Sequence, residues 1–244
     1  MQNHRTLLKV NSRMPHSLIC IPFAGGGASF YRTWKPLPDR TPHILPVQLP
    51  GREEMFIEEP FRDVSDAAEA LAPQIADQVS SGPVALFGHS LGAVIAFELA
   101  RRLERNSEVR LTHLFVSGSP GPWSRRTQRA TGLPEDRFLA QIQEFAGYRH
   151  DALSDPDLRE ILLPVLRADV EMHENYKPDS DTPLRTPIIS LRGTDDHLVS
   201  RIQAEEWSQA TTSDFRLVEV TGGHMYLAES PLQLMDAIAA ALQP

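Results

Sequence analysis

The sequence predicts an α/β fold with a mostly parallel central sheet flanked by helices, on three observations. Short apolar segments bounded by turn residues alternate with stretches of helical periodicity, the pattern of strands joined by helical crossovers. The strongest segment, Val84 to Phe87, is apolar throughout, as a strand covered on both faces must be. It leads through Gly88-His89-Ser90-Leu91-Gly92 into Leu91, Ile95, Leu99 and Leu103, which recur every four residues as on a packed helix.

In chain order, Leu18 to Pro22 reads as a central strand, Phe23 to Ala28 as a tight glycine-rich loop, and Phe30, Tyr31 and Trp34 as a short helix. A second strand spans His43 to Leu49 and ends in the turn Pro50-Gly51-Arg52. Val64 to Val79 has helical spacing through Leu71, Ile75 and Val79; Asp63 or Ser65 caps it, and Pro73 is expected to kink or split it. In the helix after Ser90, Arg101, Arg102 and Arg105 complement the negative end, with Asn106 as the stop. Leu111 to Ser117, Pro187 to Leu191 and Phe215 to Val220 complete the strands. Right-handed crossovers then gather the loops at the strand C-termini along one rim, where open α/β sheets bind ligands.

The alternation stops between about Pro120 and Thr186. Phe138, Ile142 and Phe145 fit one helix ended by Gly147; Leu158, Ile161, Leu162, Val165 and Leu166 fit a second, begun by Asp155-Pro156 and bent at Pro164. The division expected is a core of residues 1–119 and 187–244, with residues 120–186 as a helical lid over the rim.

Composition narrows the function. With 41% apolar and 23% charged residues the chain is an ordinary globular one, and its net charge of -8 argues against a nucleic-acid-binding surface. Neither a membrane-spanning run nor a secretion signal is evident, so a cytoplasmic protein without membrane attachment is expected, with a monomer as the default. The lone Cys20 sits in a strand pattern and reads as a buried structural thiol. Metal-binding motifs are absent, and the Phe23–Ala28 loop has neither a Walker lysine nor dinucleotide-binding spacing, so no cofactor is expected.

The chemistry rests on Ser90. A serine between glycines, after a strand and before a helix, sits on a strained turn that projects its hydroxyl above the sheet as a nucleophile. Gly193-Thr194-Asp195-Asp196-His197-Leu198-Val199 follows the fifth strand and Gly222-Gly223-His224 the sixth. Serine, acid and histidine thus follow three strands in the order found in α/β-hydrolases. Spacing leaves Asp195 and Asp196 both open; resemblance to the hydrolase pattern G-x-x-D-x-x-V selects Asp196. In this reading Ser90 attacks an acyl carbonyl, His224 takes and returns its proton, and Asp196 fixes the imidazole. Serine hydrolases of this kind take oxyanion-hole N–H groups from the residue after the nucleophile, Leu91, and from the loop after an early strand, where Ala24 is the candidate and Gly25 the fallback. His89 and His197 read as packing or hydrogen-bonding beside their turns, and His173 as a surface or structural histidine.

Beyond the general hydrolase, the chain resembles the type II thioesterases, the free-standing editing enzymes of polyketide and nonribosomal peptide assembly lines. The likeness spans nearly the whole chain. It rests on Pro22-Phe23-Ala24-Gly25-Gly26, Gln48-Leu49-Pro50-Gly51-Arg52-Glu53, Gly88-His89-Ser90-Leu91-Gly92, Gly193-Thr194-Asp195-Asp196 and Gly223-His224-Met225-Tyr226. Some relatives carry histidine at Phe23, and many carry a more basic segment at Ser119-Pro120-Gly121-Pro122, departures that bear on substrate and partner. The resemblance implies hydrolysis of stalled acyl thioesters from the phosphopantetheine arm of acyl or peptidyl carrier domains. The alternatives are an acyl-CoA thioesterase and a small-molecule carboxylesterase. Because carrier domains are usually acidic, Arg125, Arg126 and Arg129 are the expected landing patch on an otherwise acidic chain.

Overall fold

A computed structural model describes residues 16–32, 34, 42–79, 82–124, 129–146 and 151–243. Its sheet contains β1 (Ser17–Ile21), β2 (His43–Pro46), β3 (Pro83–His89), β4 (Arg110–Ser117), β5 (Ile188–Gly193) and β6 (Phe215–Val220). The spatial order is β2-β1-β3-β4-β5-β6, and every neighbouring pair is parallel. The chain runs outward from β1 to β2, then returns to β3 on the other side of β1. The order therefore reverses between β1 and β3, and the end of β3 opens at the switch point where α/β sheets take ligands.

Alternation along the strands divides the core. Ile19, Ile21, Leu86, Leu114 and Val116 face a layer containing α2 (Val64–Gln78) and α3 (Leu91–Leu103). Leu18, Cys20, Ala85, Phe87 and Phe115 face the other layer, with Tyr31 of α1 (Ala28–Arg32), Trp34, and Leu234, Met235 and Ile238 of α8 (Pro231–Ala241). Each fully buried aliphatic or aromatic side chain contributes about 1.5–3 kcal/mol of transfer free energy. Cys20 is a fully buried thiol, pushed up in pKa by burial.

Strand expectations hold to within a few residues, with two informative differences. β2 stops at Pro46, although Val47 N–H still donates to Cys20 O at 2.9 Å before the chain turns away. β3 runs past Phe87 to His89, delivering Ser90 directly from the strand.

Between β4 and β5 lie α4 (Glu135–Ala146) and α5 (Pro156–Asn175). Asp155 caps α5 through Asp157 and Leu158 N–H, and Asp63 caps α2 through Ser65 and Asp66 N–H. Of the two outcomes open at Pro73, α2 does not split there, and α5 continues through Pro164. Both prolines are exposed, so the carbonyl each leaves without its helical partner can turn to water. Gly147, expected to end α4, lies outside the described residues. Ala130, Phe138, Leu163, Leu166 and Val170 form the insertion's own apolar cluster, against which Ala24 packs.

Arg101 and Arg102 do more than complement the end of α3. Arg101 donates to the Thr182 and Ser180 carbonyls, and Arg102 to Glu69 of α2 and to Asp179, tying the helix to its neighbours. The remaining α-helices among the described residues are α6 (Arg201–Glu205) and α7 (Tyr226–Glu229).

Candidate active site

Ser90 is the single residue between β3 and α3, and its backbone sits at φ 54°, ψ -114°. Such a conformation costs a non-glycine residue about 1–3 kcal/mol and persists only where its surroundings enforce it. Here Ser90 N–H donates to Ser117 O at 2.8 Å, and Ser90 O accepts from Ala93 N–H at 3.0 Å. The flanking glycines are required by space. A Cβ on Gly88 would lie 1.9 Å from Gly92 O, and one on Gly92 would lie 2.4 Å from Ile21 O.

The loop after β5 carries Asp196. Its Oδ2 accepts from His224 Nδ1 at 2.9 Å, and its Oδ1 accepts from Leu198 and Val199 N–H at 2.8 and 3.1 Å. Burial raises the Asp196 pKa, but the hydrogen bond and charge of His224, with the two backbone donors, outweigh it and hold the carboxyl below its usual range. Asp196 therefore stays ionised and retains the proton on His224 Nδ1, which leaves Nε2 as an acceptor. Asp195 is exposed and accepts from the Thr194 hydroxyl, so the ambiguity between neighbouring acids resolves to Asp196 as the partner of His224. Arg192 clasps the loop through the carbonyls of Val199 and Asp196 at 2.7 and 3.0 Å.

His89 lies beside His224, with ring centroids 4.9 Å apart. Its Nδ1 is 2.8 Å from Ser117 Oγ, which in turn hydrogen-bonds the Tyr226 hydroxyl. Burial, then the neighbouring His224, holds His89 well below the ordinary histidine pKa and keeps it neutral. It packs and hydrogen-bonds beside its turn as expected. His197 does not: its side chain is exposed. His173, read from sequence as a surface or structural histidine, is buried in α5 and lines the cavity described next.

Ser90, His224, Ala24 and Met225 line one side of a cavity of about 950 Å³, and Leu139, Ile142, Val165 and Leu166 of the insertion line the other. Leu91 begins α3, so its N–H belongs to the group a helix start leaves without an internal partner. Gly25, the fallback donor, has its N–H engaged at 2.8 Å by Asp169 Oδ2 of α5. Of the two expected donors in this loop, Gly25 is therefore already committed to Asp169. Asp169 has no sequence signal of its own, standing in an amphipathic helix far from the loop it binds.

Among the described residues, no group of three or more His, Cys, Asp or Glu could hold a metal ion, and no helix is long and apolar enough to cross a membrane. Arg125 and Arg126 lie outside the described residues. Arg129 is half-exposed, with Nε 3.6 Å from Glu174 Oε2.

The thioesterase domain family matches residues 16–242. The gramicidin S biosynthesis protein GrsT of Aneurinibacillus migulanus is 34% identical over 96% of this chain and 91% of its own length. Among solved structures, the type II thioesterase BorB from the borrelidin biosynthetic cluster superposes with a TM-score of 0.81 at 36% identity, covering 94% of this chain and 92% of BorB. YbtT, a type II thioesterase from the yersiniabactin NRPS/PKS pathway, superposes with a TM-score of 0.84 at 30% identity, covering 94% and 93%. The chain belongs to the thioesterase family, with the α/β-hydrolase fold of its type II members, and is a thioester hydrolase.

Proposed function

We propose that this hydrolase clears aberrant or stalled acyl groups from the phosphopantetheine arm of acyl or peptidyl carrier domains in polyketide or nonribosomal peptide biosynthesis. Ser90, His224 and Asp196 are its catalytic residues, and Ala24 and Leu91 N–H form its oxyanion hole. The observation that carries the reading is the His224–Asp196 hydrogen bond beside a cavity that Ser90 also lines. The type II thioesterases named above supply the substrate class.

In the first half-reaction, Ser90 Oγ attacks the thioester carbonyl while His224 Nε2 takes its proton. Asp196 stabilises the imidazolium, and the two N–H groups stabilise the oxyanion. Collapse expels the pantetheine thiol, with the proton returned from His224. Water, activated by the same imidazole, then attacks the acyl-Ser90 ester, releasing the carboxylic acid and restoring the hydroxyl. A thiolate leaves more readily than an alkoxide, so the site needs a strong base and room for the acyl chain more than a strong acid.

Residues 120–186 act as the lid, because α4 and α5 supply an apolar wall of the cavity. Phe56 and Ile161 line the same cavity and are 65% and 61% exposed, giving the approach an apolar rim. The test is turnover of one acyl group presented on a carrier protein, on coenzyme A and as a p-nitrophenyl ester. The carrier-bound form should give the highest kcat/KM, and Ser90→Ala should abolish all three activities. Equal or greater kcat/KM for acyl-CoA or for the ester would replace this reading with the corresponding alternative.

A further inference from the structure

The turn Gln48–Arg52, the loop after β1 and helix α5 meet at one buried ion pair. Arg52 Nη1 and Nη2 donate to Asp169 Oδ2 and Oδ1 at 2.7 and 2.8 Å, with the two side chains only 7% and 1% exposed. The pair also grips the loop. Asp169 Oδ2 accepts the Gly25 N–H at 2.8 Å, and Arg52 Nη1 donates to Gly26 O at 3.0 Å. One carboxylate and one guanidinium therefore hold the Gly25–Gly26 segment through both its donor and its acceptor.

The hold extends to the reacting centre through the backbone. Gly26 N–H donates to Phe23 O at 2.8 Å. Phe23 C=O and Ala24 N–H belong to the same planar trans peptide and point in opposite directions, so fixing the carbonyl fixes the aim of the N–H. Helix α5 also abuts the loop directly: Leu166 Cδ1 lies 3.0 Å from where a Cβ on Gly25 would stand. A buried ion pair is not by itself a stabilising device.

We propose that Asp169 and Arg52 are positioning residues for the thioester reaction: through them helix α5 sets the Phe23–Ala24 peptide, and the oxyanion hole is complete only while α5 is seated against the loop. The proposal rests on the reading of Ser90 as nucleophile and Ala24 as oxyanion donor. It makes the insertion part of the catalytic apparatus as well as a wall of the acyl chamber. A displaced α5 withdraws Asp169 from Gly25 and leaves the hole unformed, so acyl transfer is coupled to closure.

The test uses the full chain with hexanoyl-N-acetylcysteamine as substrate and an alkylboronic acid, whose Ser90 adduct places an anionic oxygen in the hole. Three variants are compared: Asp169→Asn, Arg52→Lys, and the double variant Arg52→Met/Asp169→Leu, which removes both charges together so that neither is left buried and unpaired. A displaced oxyanion donor should lower kcat about 10- to 100-fold in Asp169→Asn and in the double variant. KM should stay within about threefold, and boronic acid affinity should fall in parallel with kcat. Arg52→Lys, which keeps the charge but loses the fork, should fall between these and the unaltered protein. A folded double variant with unaltered kcat and boronic acid affinity would overturn the proposal, as would losses that only track the folded fraction. Ser90→Ala separates the underlying reading: full activity there would refute the nucleophile itself, whereas an inactive Ser90→Ala beside an unaffected double variant would refute only the positioning role.

Discussion

Replacing Asp196 by Asn isolates what the buried carboxylate does, because most of its local bonding survives. Asn Oδ1 can still accept from Leu198 and Val199 N–H, which now bind Asp196 Oδ1 at 2.8 and 3.1 Å, so the loop after β5 should keep its shape. The change falls on the 2.9 Å contact to His224 Nδ1. There Asn presents an NH₂ donor where the carboxylate accepted, favouring the tautomer with its proton on Nε2. In the proposed mechanism an Nε2–H cannot take the Ser90 proton, and the imidazolium loses its counter-charge. In a serine protease triad the same substitution lowers kcat about 10⁴-fold. Because a thiolate leaves without much acid assistance, a loss of about 10³- to 10⁴-fold is expected here, or roughly 4–5.5 kcal/mol of transition-state stabilisation. Thiol release from hexanoyl-N-acetylcysteamine, followed with a chromogenic disulfide at saturating substrate, reads this directly. An Asp196→Asn protein with native circular dichroism and kcat within tenfold of the unaltered enzyme would refute the assigned role.

Other expectations follow from the same geometry. Gly92→Ala drives a Cβ to 2.4 and 2.7 Å from the Ile21 and Pro22 carbonyl oxygens. It should cost about 1–3 kcal/mol, or roughly 2–12 °C in Tm, and an unchanged melting curve would contradict the packing argument. His89 is neutral in the folded protein because its pKa is depressed, while the unfolded chain takes up a proton there below about pH 6.5. Its linkage therefore favours the folded state fully above that pH and is lost as pH falls. Urea unfolding at pH 7 and pH 5 should show a decline of at most about 2 kcal/mol from this residue, and His89→Gln should remove that part of the slope. An unaltered slope in the variant would exclude His89 as its source. Charge reversal at Arg125 and Arg126 should reduce kcat/KM for acyl-carrier protein more than for the small thioester. Equal loss on both would remove the landing-patch idea.

The fold and the candidate site were legible in the sequence to different degrees, for physical reasons. Buried parallel strands carry continuous apolar runs, which mark β1, β3, β5 and the buried half of β4 to within a few residues, whereas the half-exposed edge strand β6 shows an apolar pattern interrupted by Arg216 and Glu219. The serine turn was readable because its two glycines answer a local collision. Asp196 and His224 each follow a strand end, which the sheet topology converts into proximity. At Pro73 the sequence leaves a kink and a break both open; the helix does not break, because exposure makes the missing hydrogen bond tolerable. Helix α8 follows the last strand and carries no site residue, so the strand-and-motif pattern does not point to it, although Leu234, Met235 and Ile238 stand at helical spacing after Ser230-Pro231. The Arg52–Asp169 pair was out of reach for a different reason: its partners are 117 residues apart, and neither is marked by periodicity. Arg52 stood out only within the Gln-Leu-Pro-Gly-Arg stretch. The Ser117–Tyr226 contact that backs His89 joins positions equally silent by themselves.

The central claim is that the acyl group passes through Ser90. Rapid-quench mass spectrometry of the enzyme mixed with a defined acyl-carrier protein tests it most directly. A transient mass gain equal to the acyl group is expected on the peptide containing Ser90, appearing as the carrier loses its acyl group, and neither event in Ser90→Ala. Deacylation of the carrier by Ser90→Ala at the unaltered rate, or an acyl adduct confined to another residue, would contradict it.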